Sequence, residues 1–476
     1  MLKTVVNQLA DFAHDVKFEN LPEDVISDSK RLLLDSIGCA LAGVNHPISK
    51  IGIDYGRLFP GKEATVMGTN DKFSIFGASF ANGELINALD FDVVLPPGHV
   101  SPYVLPGPMA VAEKLKSSGK EFIVSTAISH EMSFRFGKAL DYIRDIKDGK
   151  VNPPAVFGYS STIFGSTAAI GRLRGYDNQL MANAISLAAY IAPVSSQKVF
   201  SEHAPSTTIK YMLAGWIPMG ALTAASMAEL GHRADMYIFE DEYGYYRMVA
   251  STRWEPTAIT NELGNKWLFP PSQSYKMYPF CRILATPLDT IVHMVNEHDI
   301  KPEEIESIKA WVEGFAIAPG WMCRTIEHQM DAQFCFAHAL SVAAHRIPPG
   351  KHWQDYDIVF NPSILKLMDK ISFDTHPDYV KEITKNPLAR PTRIEIKARG
   401  ETFVEDRMYP KGSLTPQPET YLTDDELIDK FMANAEGVIS KRKADALVNT
   451  VLNLEDVDDF SKIMKLTTPT KMKSAK

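Results

Sequence analysis

Two carboxylates and an imidazole, Asp90, Asp92 and His99, fall within NALDFDVVLPPGHVSPYVLPGP, residues 87–108. Such a set can bind, orient and move protons. Pro96, Pro97, Pro102, Pro106 and Pro108 each fix φ, which lowers the entropy of ordering the stretch and lets it hold one shape. The competing reading is that the two acids cap the next element and His99 faces water. Lys276 and Arg282 lie in KMYPFCR, near the start of a helical pattern. There an arginine can fork onto a carboxylate while a lysine serves as a mobile charge or proton donor. Lys210 sits among Tyr211, Met212, Leu213 and Trp216 with no evident solvated face. Either its stem packs and its head snorkels to water, or the buried charge awaits an anionic ligand. His328 and His338 flank Asp331 and read as structural. No metal-ligand spacing, GxGxxG, Walker loop or GxSxG is present. Chemistry without a cofactor on a small anionic substrate is the economical enzyme reading.

The elements that must position these residues follow from the pattern of apolar spacing. At 476 residues the chain exceeds one ordinary core, so two or more domains are expected. Helical spacing predicts helices over about Pro22–Gly43, Phe76–Leu89, Met109–Lys116, Glu121–Leu140, Ser161–Leu173, Asn178–Ile191 and Thr208–Leu230. Most are rich in Ala, Ser and Gly, and such helices bury one another rather than a sheet. From Trp267 to Met408 the character changes. Glu304–Val312 alternates as a strand does, and Thr392–Lys397 turns at Arg399-Gly400 into Glu401–Glu405 as a hairpin. Helices are expected there over Arg282–Asn296, Asp331–Ala344 and Ser363–Lys370, and afterwards over Thr423–Ala433 and Ala444–Leu452, before a tail, Met472–Lys476, that frays. The expected fold is mainly α: a helical domain built by residues 1–268 and 409–476, with an α+β lid over 269–408.

Composition narrows the function classes. With 45% hydrophobic and 23% charged residues the chain reads as soluble and globular. A net charge of −8 excludes a broad nucleic-acid surface but leaves room for a local cationic pocket. Cys39, Cys281, Cys323 and Cys335 form no CxxC pair, so reduced thiols and a cytoplasmic location are expected. The amphipathic N-terminus carries acids, unlike a signal or transit peptide, and no stretch approaches a membrane span.

Five pieces, in order, resemble the MmgE/PrpD family: LPEDVISDSKRLLLDSIGCALAG, INALDFDVVLPPGHVSPYVLP, TTIKYMLAGWIPMGALTAASMAELG, KMYPFCR and MDAQFCFAHALSVA. The late RIEIKARGETFVE and ELIDKF fit as well, so the resemblance covers essentially the whole chain. It implies a helical domain with an α+β lid, a homodimer, and a cleft active site that needs no cofactor. It further implies an acid at Asp90, a loop histidine at His99, a helix-start lysine at Lys210 and a second lysine at Lys276. Three positions depart from the family pattern. Val93 replaces a third acid, Tyr159 in FGYSSTIFG replaces a histidine, and Leu213 replaces another.

Three functions follow. A lyase, either dehydratase or decarboxylase, would use Lys210, Lys276 and Arg282 against developing negative charge while His99 and Tyr159 move protons and Asp90 orients His99. Asp92, Lys210 and Arg282 would contact a small di- or tricarboxylate. An epimerase would instead place Tyr159 and a lysine as two bases on opposite faces of the α-carbon. The third reading is a family member that kept the fold and lost activity. Retention of Asp90, His99, Lys210 and Lys276 together speaks against that one.

Overall fold

The computed structural model describes residues 3–141, 144, 146, 147, 150, 151, 158–194, 197–205, 207–210, 212–240 and 242–470. Tyr211 and the tail expected to fray lie outside the described residues. The chain is mainly helical. The first part packs α1 (Val5–Asp15), α2 (Glu23–Gly43), α3 (Pro47–Gly56), α4 (Ile75–Asn87), α5 (Pro106–Leu115), α6 (Gly119–Ala139), α7 (Thr162–Leu173), α8 (Asn178–Ala189) and α9 (Trp216–Glu229). Local chemistry sets several starts. The Ser74 hydroxyl accepts from the Gly77 N–H at α4, and the Ser118 hydroxyl accepts from the Glu121 N–H at α6. Small residues then allow close approach. A Cβ on Gly165 of α7 would sit 2.3 Å from the Ser129 carbonyl oxygen of α6.

The α+β part carries α10 (Ala285–Glu297), α11 (Phe336–Ala344) and a four-stranded sheet. Its strands are β1 (Ile305–Val312), β2 (Ile371–Thr375), β3 (Thr392–Ala398) and β4 (Glu401–Arg407), in the order β4-β3-β1-β2. The β3–β4 hairpin is antiparallel, β3 is antiparallel to β1, and β2 is parallel to β1. Alternate residues of β1 and β3 turn to the core, so the period of two expected for both strands is present. Helix α10 packs against β3, β4 and α11. Two later helices, α12 (Asp424–Ala435) and α13 (Lys441–Leu452), pack back onto α2. Thr423 and Glu426 form a capping box at the start of α12. Among the described residues no helix is long and apolar enough to cross a membrane.

Three local expectations need correction. The helix predicted from Thr208 begins only at Trp216. Lys210 sits before it in a turn with φ +56°, and Pro218, which has no N–H to offer, fits only the first helical turn. The helix predicted from Asp331 begins at Phe336, after a short turn in which the Asp331 carboxylate accepts the Glu327 and His328 N–H groups. Strand β2 was absent from the reading. Five residues with only Ile371 fully turned to the core give too short an alternation to stand out.

Candidate active site

The turn after α4 carries the first acid. Asp90 has φ +51°, a left-handed conformation that aspartate tolerates better than most residues, and its N–H closes on the Asn87 carbonyl at 3.0 Å. A short hairpin follows, pairing Val94–Leu95 with Gly98–His99 so that His99 lies opposite Val94. The other edge of Val94 pairs with Ser274 through reciprocal backbone hydrogen bonds of 3.0 and 2.8 Å. That pairing brings Lys276, two residues on, beside Asp90. Further upstream, the Glu131 carboxylate on α6 accepts the Leu268 and Phe269 N–H groups, while Arg135 donates to the Ile259, Asn261 and Lys266 carbonyls. The body therefore straps down the chain that delivers Lys276.

A second buried pair fixes the corner itself. Lys430 on α12 donates to Asp35 of α2 at 2.7 Å and to the Phe91 carbonyl at 3.0 Å. The other Asp35 oxygen accepts the Val93 N–H at 3.2 Å. Val93 is fully buried, so the third acid of the family pattern would lie here beside Asp35 without water.

Three of the other singled-out side chains meet at Asp90. Lys276 donates to its carboxylate and to its carbonyl, both at 2.6 Å. Lys210 donates to the Asn87 carbonyl at 2.7 Å and to the Asp90 carboxylate at 3.4 Å. His99 Nε2 lies 3.3 Å from Asp90 Oδ1, and His99 Nδ1 lies 2.7 Å from Asp92 Oδ2. Asp90, Lys276, Lys210 and His99 are only 1, 2, 4 and 6% exposed. The Lys210 head therefore does not snorkel, and the anion that both lysines meet is Asp90. The group expected to orient His99 also changes. It is Asp92 that takes the Nδ1 proton, and Asn87 Nδ2 holds the other Asp92 oxygen at 3.1 Å.

The charges tune one another. Burial pushes the Asp90 carboxyl up, but the Lys276 and Lys210 ammonium groups and His99 outweigh it and hold the group well below the usual carboxylate range. Burial lowers the Lys210 ammonium, and Asp90 and Asp92 only partly restore it. Burial likewise disfavours the His99 imidazolium, yet Asp92 and Asp90 raise it above the ordinary histidine value, against the opposing charge of Lys276.

A cavity of about 380 Å³ opens beside this cluster, where the body meets the α+β part. Asp90, His99, Tyr159 and Arg282 line it. Asp92, Lys210 and Lys276 do not; they stand behind Asp90 and His99. Leu213 is also off the wall, and it is exposed. Tyr159 lies against the hairpin turn. A Cβ on Gly98, where φ is +155°, would come within 2.0 Å of the Tyr159 ring, so glycine is what admits the tyrosine. Arg282 Nη1 donates to the Tyr275 and Lys411 carbonyls at 3.1 and 3.0 Å, and Nη2 to the Ser413 hydroxyl at 2.6 Å. Its Nε is buried without a partner, and no carboxylate lies within ion-pair distance among the described residues. Burial, helped by the nearby Arg390, lowers its guanidinium to about 9. Among the described residues no group of three or more His, Cys, Asp or Glu could hold a metal ion.

Two features escaped the sequence reading. Asn87 was read only as the start of the stretch, although it bridges Asp92 and Lys210; a polar residue ending an apolar helix was the available signal. Glu313, just after β1, binds Arg144 at 2.7 Å and Arg390 at 2.5 Å across the cavity wall. Those partners are too far apart in the chain for any spacing to suggest the pairing.

The chain matches the MmgE/PrpD N-terminal domain over residues 7–257 and the MmgE/PrpD C-terminal domain over residues 278–456. It is 24% identical to the cis-aconitate decarboxylase of Homo sapiens, covering 98% of this chain and 95% of that one. The cis-aconitate decarboxylase of Mus musculus is 25% identical, over 98 and 94% of the two chains. That of Aspergillus terreus is 21% identical, over 97 and 95%.

Proposed function

The chain belongs to the MmgE/PrpD family, and from that premise we propose that it is a lyase, a dehydratase or decarboxylase, acting without a cofactor on a small di- or tricarboxylate. One observation carries the reading. A buried cluster of Lys210, Lys276, His99, Asp90 and Asp92 meets a cavity whose wall also holds Arg282, a buried cation with no carboxylate partner. Named cis-aconitate decarboxylases among the relatives support the same reaction class.

In this proposal a substrate carboxylate pairs with the cationic Arg282 guanidinium at the cavity wall. Loss of a proton or of CO₂ next to a carboxylate builds negative charge on the remaining carbon framework. With His99 protonated, three cations face two carboxylates, so the cluster is net positive where that charge develops. Asp92 fixes the imidazole by its Nδ1 proton, and His99, which lines the cavity with Nε2 3.3 Å from Asp90 Oδ1, exchanges a proton with the substrate. Tyr159 at the wall supplies a second donor. Lys210 and Lys276 act through Asp90, keeping it ionised. The epimerase reading draws on Tyr159 but requires a lysine facing the substrate, and both candidate lysines turn onto Asp90.

Incubation in D₂O with cis-aconitate and a panel of hydroxy and unsaturated di- and tricarboxylates tests this. A lyase releases CO₂ or water with net product. Deuterium entering the α-position with loss of optical purity and no net product would establish the epimerase instead.

The domain division stays part of the proposal, supported by α12 and α13 packing on α2, as does a cytoplasmic location. So does a homodimer. Ile209, Leu213 and Trp216 are exposed beside the Lys210 turn and offer apolar surface for a second copy. Sedimentation equilibrium at micromolar concentration is expected to give twice the chain mass, and a monomer throughout would refute it.

A further inference from the structure

Resting on the carboxylate-lyase reading, we propose that the substrate is a carboxylate with an apolar arm, its carboxylate held by Arg282 and its arm by an aromatic wall. The wall consists of Phe134, Phe200, Phe315, Trp321, Phe334 and Leu388. Its rings brace one another: Phe200 meets Phe334 edge-on with centroids 4.9 Å apart, and Phe315 meets Trp321 at the same separation. Phe334 also lies 5.8 Å from Lys210 Nζ, so the apolar surface starts next to the Asp90 cluster rather than in a remote recess.

Arg144 and Arg390 both bind Glu313, and Lys210 and Lys276 both bind Asp90. Arg282 is a cation of this wall with only carbonyls and a hydroxyl as partners. One carboxylate suits that guanidinium, and a second can approach His99, which lines the same cavity. A cavity of about 380 Å³ falls among pockets that enclose drug-sized ligands, roughly 300–1,000 Å³. It leaves room beyond a small acid, and the lining of that room is apolar.

Calorimetric titration of the wild-type protein with succinate, methylsuccinate, butylsuccinate and benzylsuccinate tests the proposal. Kd is expected to fall along the alkyl series by roughly fourfold per buried methylene, with benzylsuccinate among the tightest. Arg282→Lys, which keeps the charge but loses the fork, should weaken every acid by about tenfold or more, as expected for a charge-assisted pair. Phe334→Leu should flatten the series. A flat wild-type series, with butylsuccinate and benzylsuccinate no tighter than succinate, overturns the apolar arm while the carboxylate lyase stands. Affinities indifferent to Arg282→Lys overturn the anchor. Failure of every acid to bind the wild-type protein overturns this proposal together with the reading beneath it.

Discussion

Asp90→Asn is expected to abolish measurable turnover and to cost about 3–5 kcal/mol of stability, the usual result of removing one partner from a buried charge pair. The side chain is the shared counter-charge of Lys276, Lys210 and His99, all of them buried. Asparagine is nearly isosteric, so packing survives while two ammonium groups lose their compensation. Denaturant unfolding should therefore report a lower midpoint with an unchanged slope. Adding Lys276→Met to the variant should return part of the lost stability, because one uncompensated charge has gone, yet restore no activity. The pH dependence gives a second reading. The Asp90 pKa is depressed in the folded protein, so its contribution is present above the unfolded carboxylate value of 3.8 and is lost as pH falls through the lower folded value. Asp90→Asn should erase that acid-side component of the unfolding curve. An Asp90→Asn protein as stable as wild type would mean that the lysines find their compensation elsewhere.

Sequence spacing made the helices legible where burial on one face repeats. Helix α2 begins within one residue of its expected start because Pro22, Glu23 and Asp24 announce it, and Gly43 ends it as expected. Strand β1 and the β3–β4 hairpin were legible for the same reason at a period of two. The Lys210 turn was not, because an apolar run conceals a left-handed residue in its interior. The presence of Asp90, His99, Lys210 and Lys276 as candidates followed from polar residues interrupting apolar stretches. Their partnership was not legible. Lys276 and Asp90 lie 186 residues apart, and the Val94–Ser274 pairing that aligns them is made by backbone groups with no residue preference. The lining of the cavity was equally hidden, since Phe200, Phe315 and Phe334 look in the sequence like ordinary core residues.

His99→Gln is expected to lower kcat by roughly 10²–10⁴-fold, the range associated with a general acid or base, with stability changed far less than by Asp90→Asn. Glutamine can still donate to Asp92 but cannot deliver a proton. The groups facing the imidazole are Asp90, Asp92 and Asn87, with Tyr159 6.5 Å away between ring centroids and Lys276 acting through its charge. Their sum raises the His99 pKa above 6.5, so the imidazolium persists to a higher pH than in an ordinary histidine. Stability linked to its protonation is present in full below the unfolded value and disappears as pH rises through the folded one. If His99 acts as the acid, kcat should fall on the basic side, at a higher pH than an ordinary histidine would give. That limb should move to lower pH in Asp92→Asn, where a main source of the upward shift is gone. Titration of the His99 ring protons by NMR in the free protein gives the corresponding pKa directly. A ring that titrates below 6.5, or a basic limb unmoved by Asp92→Asn, would leave His99 a structural partner of Asp92 and transfer the proton-moving role to Tyr159.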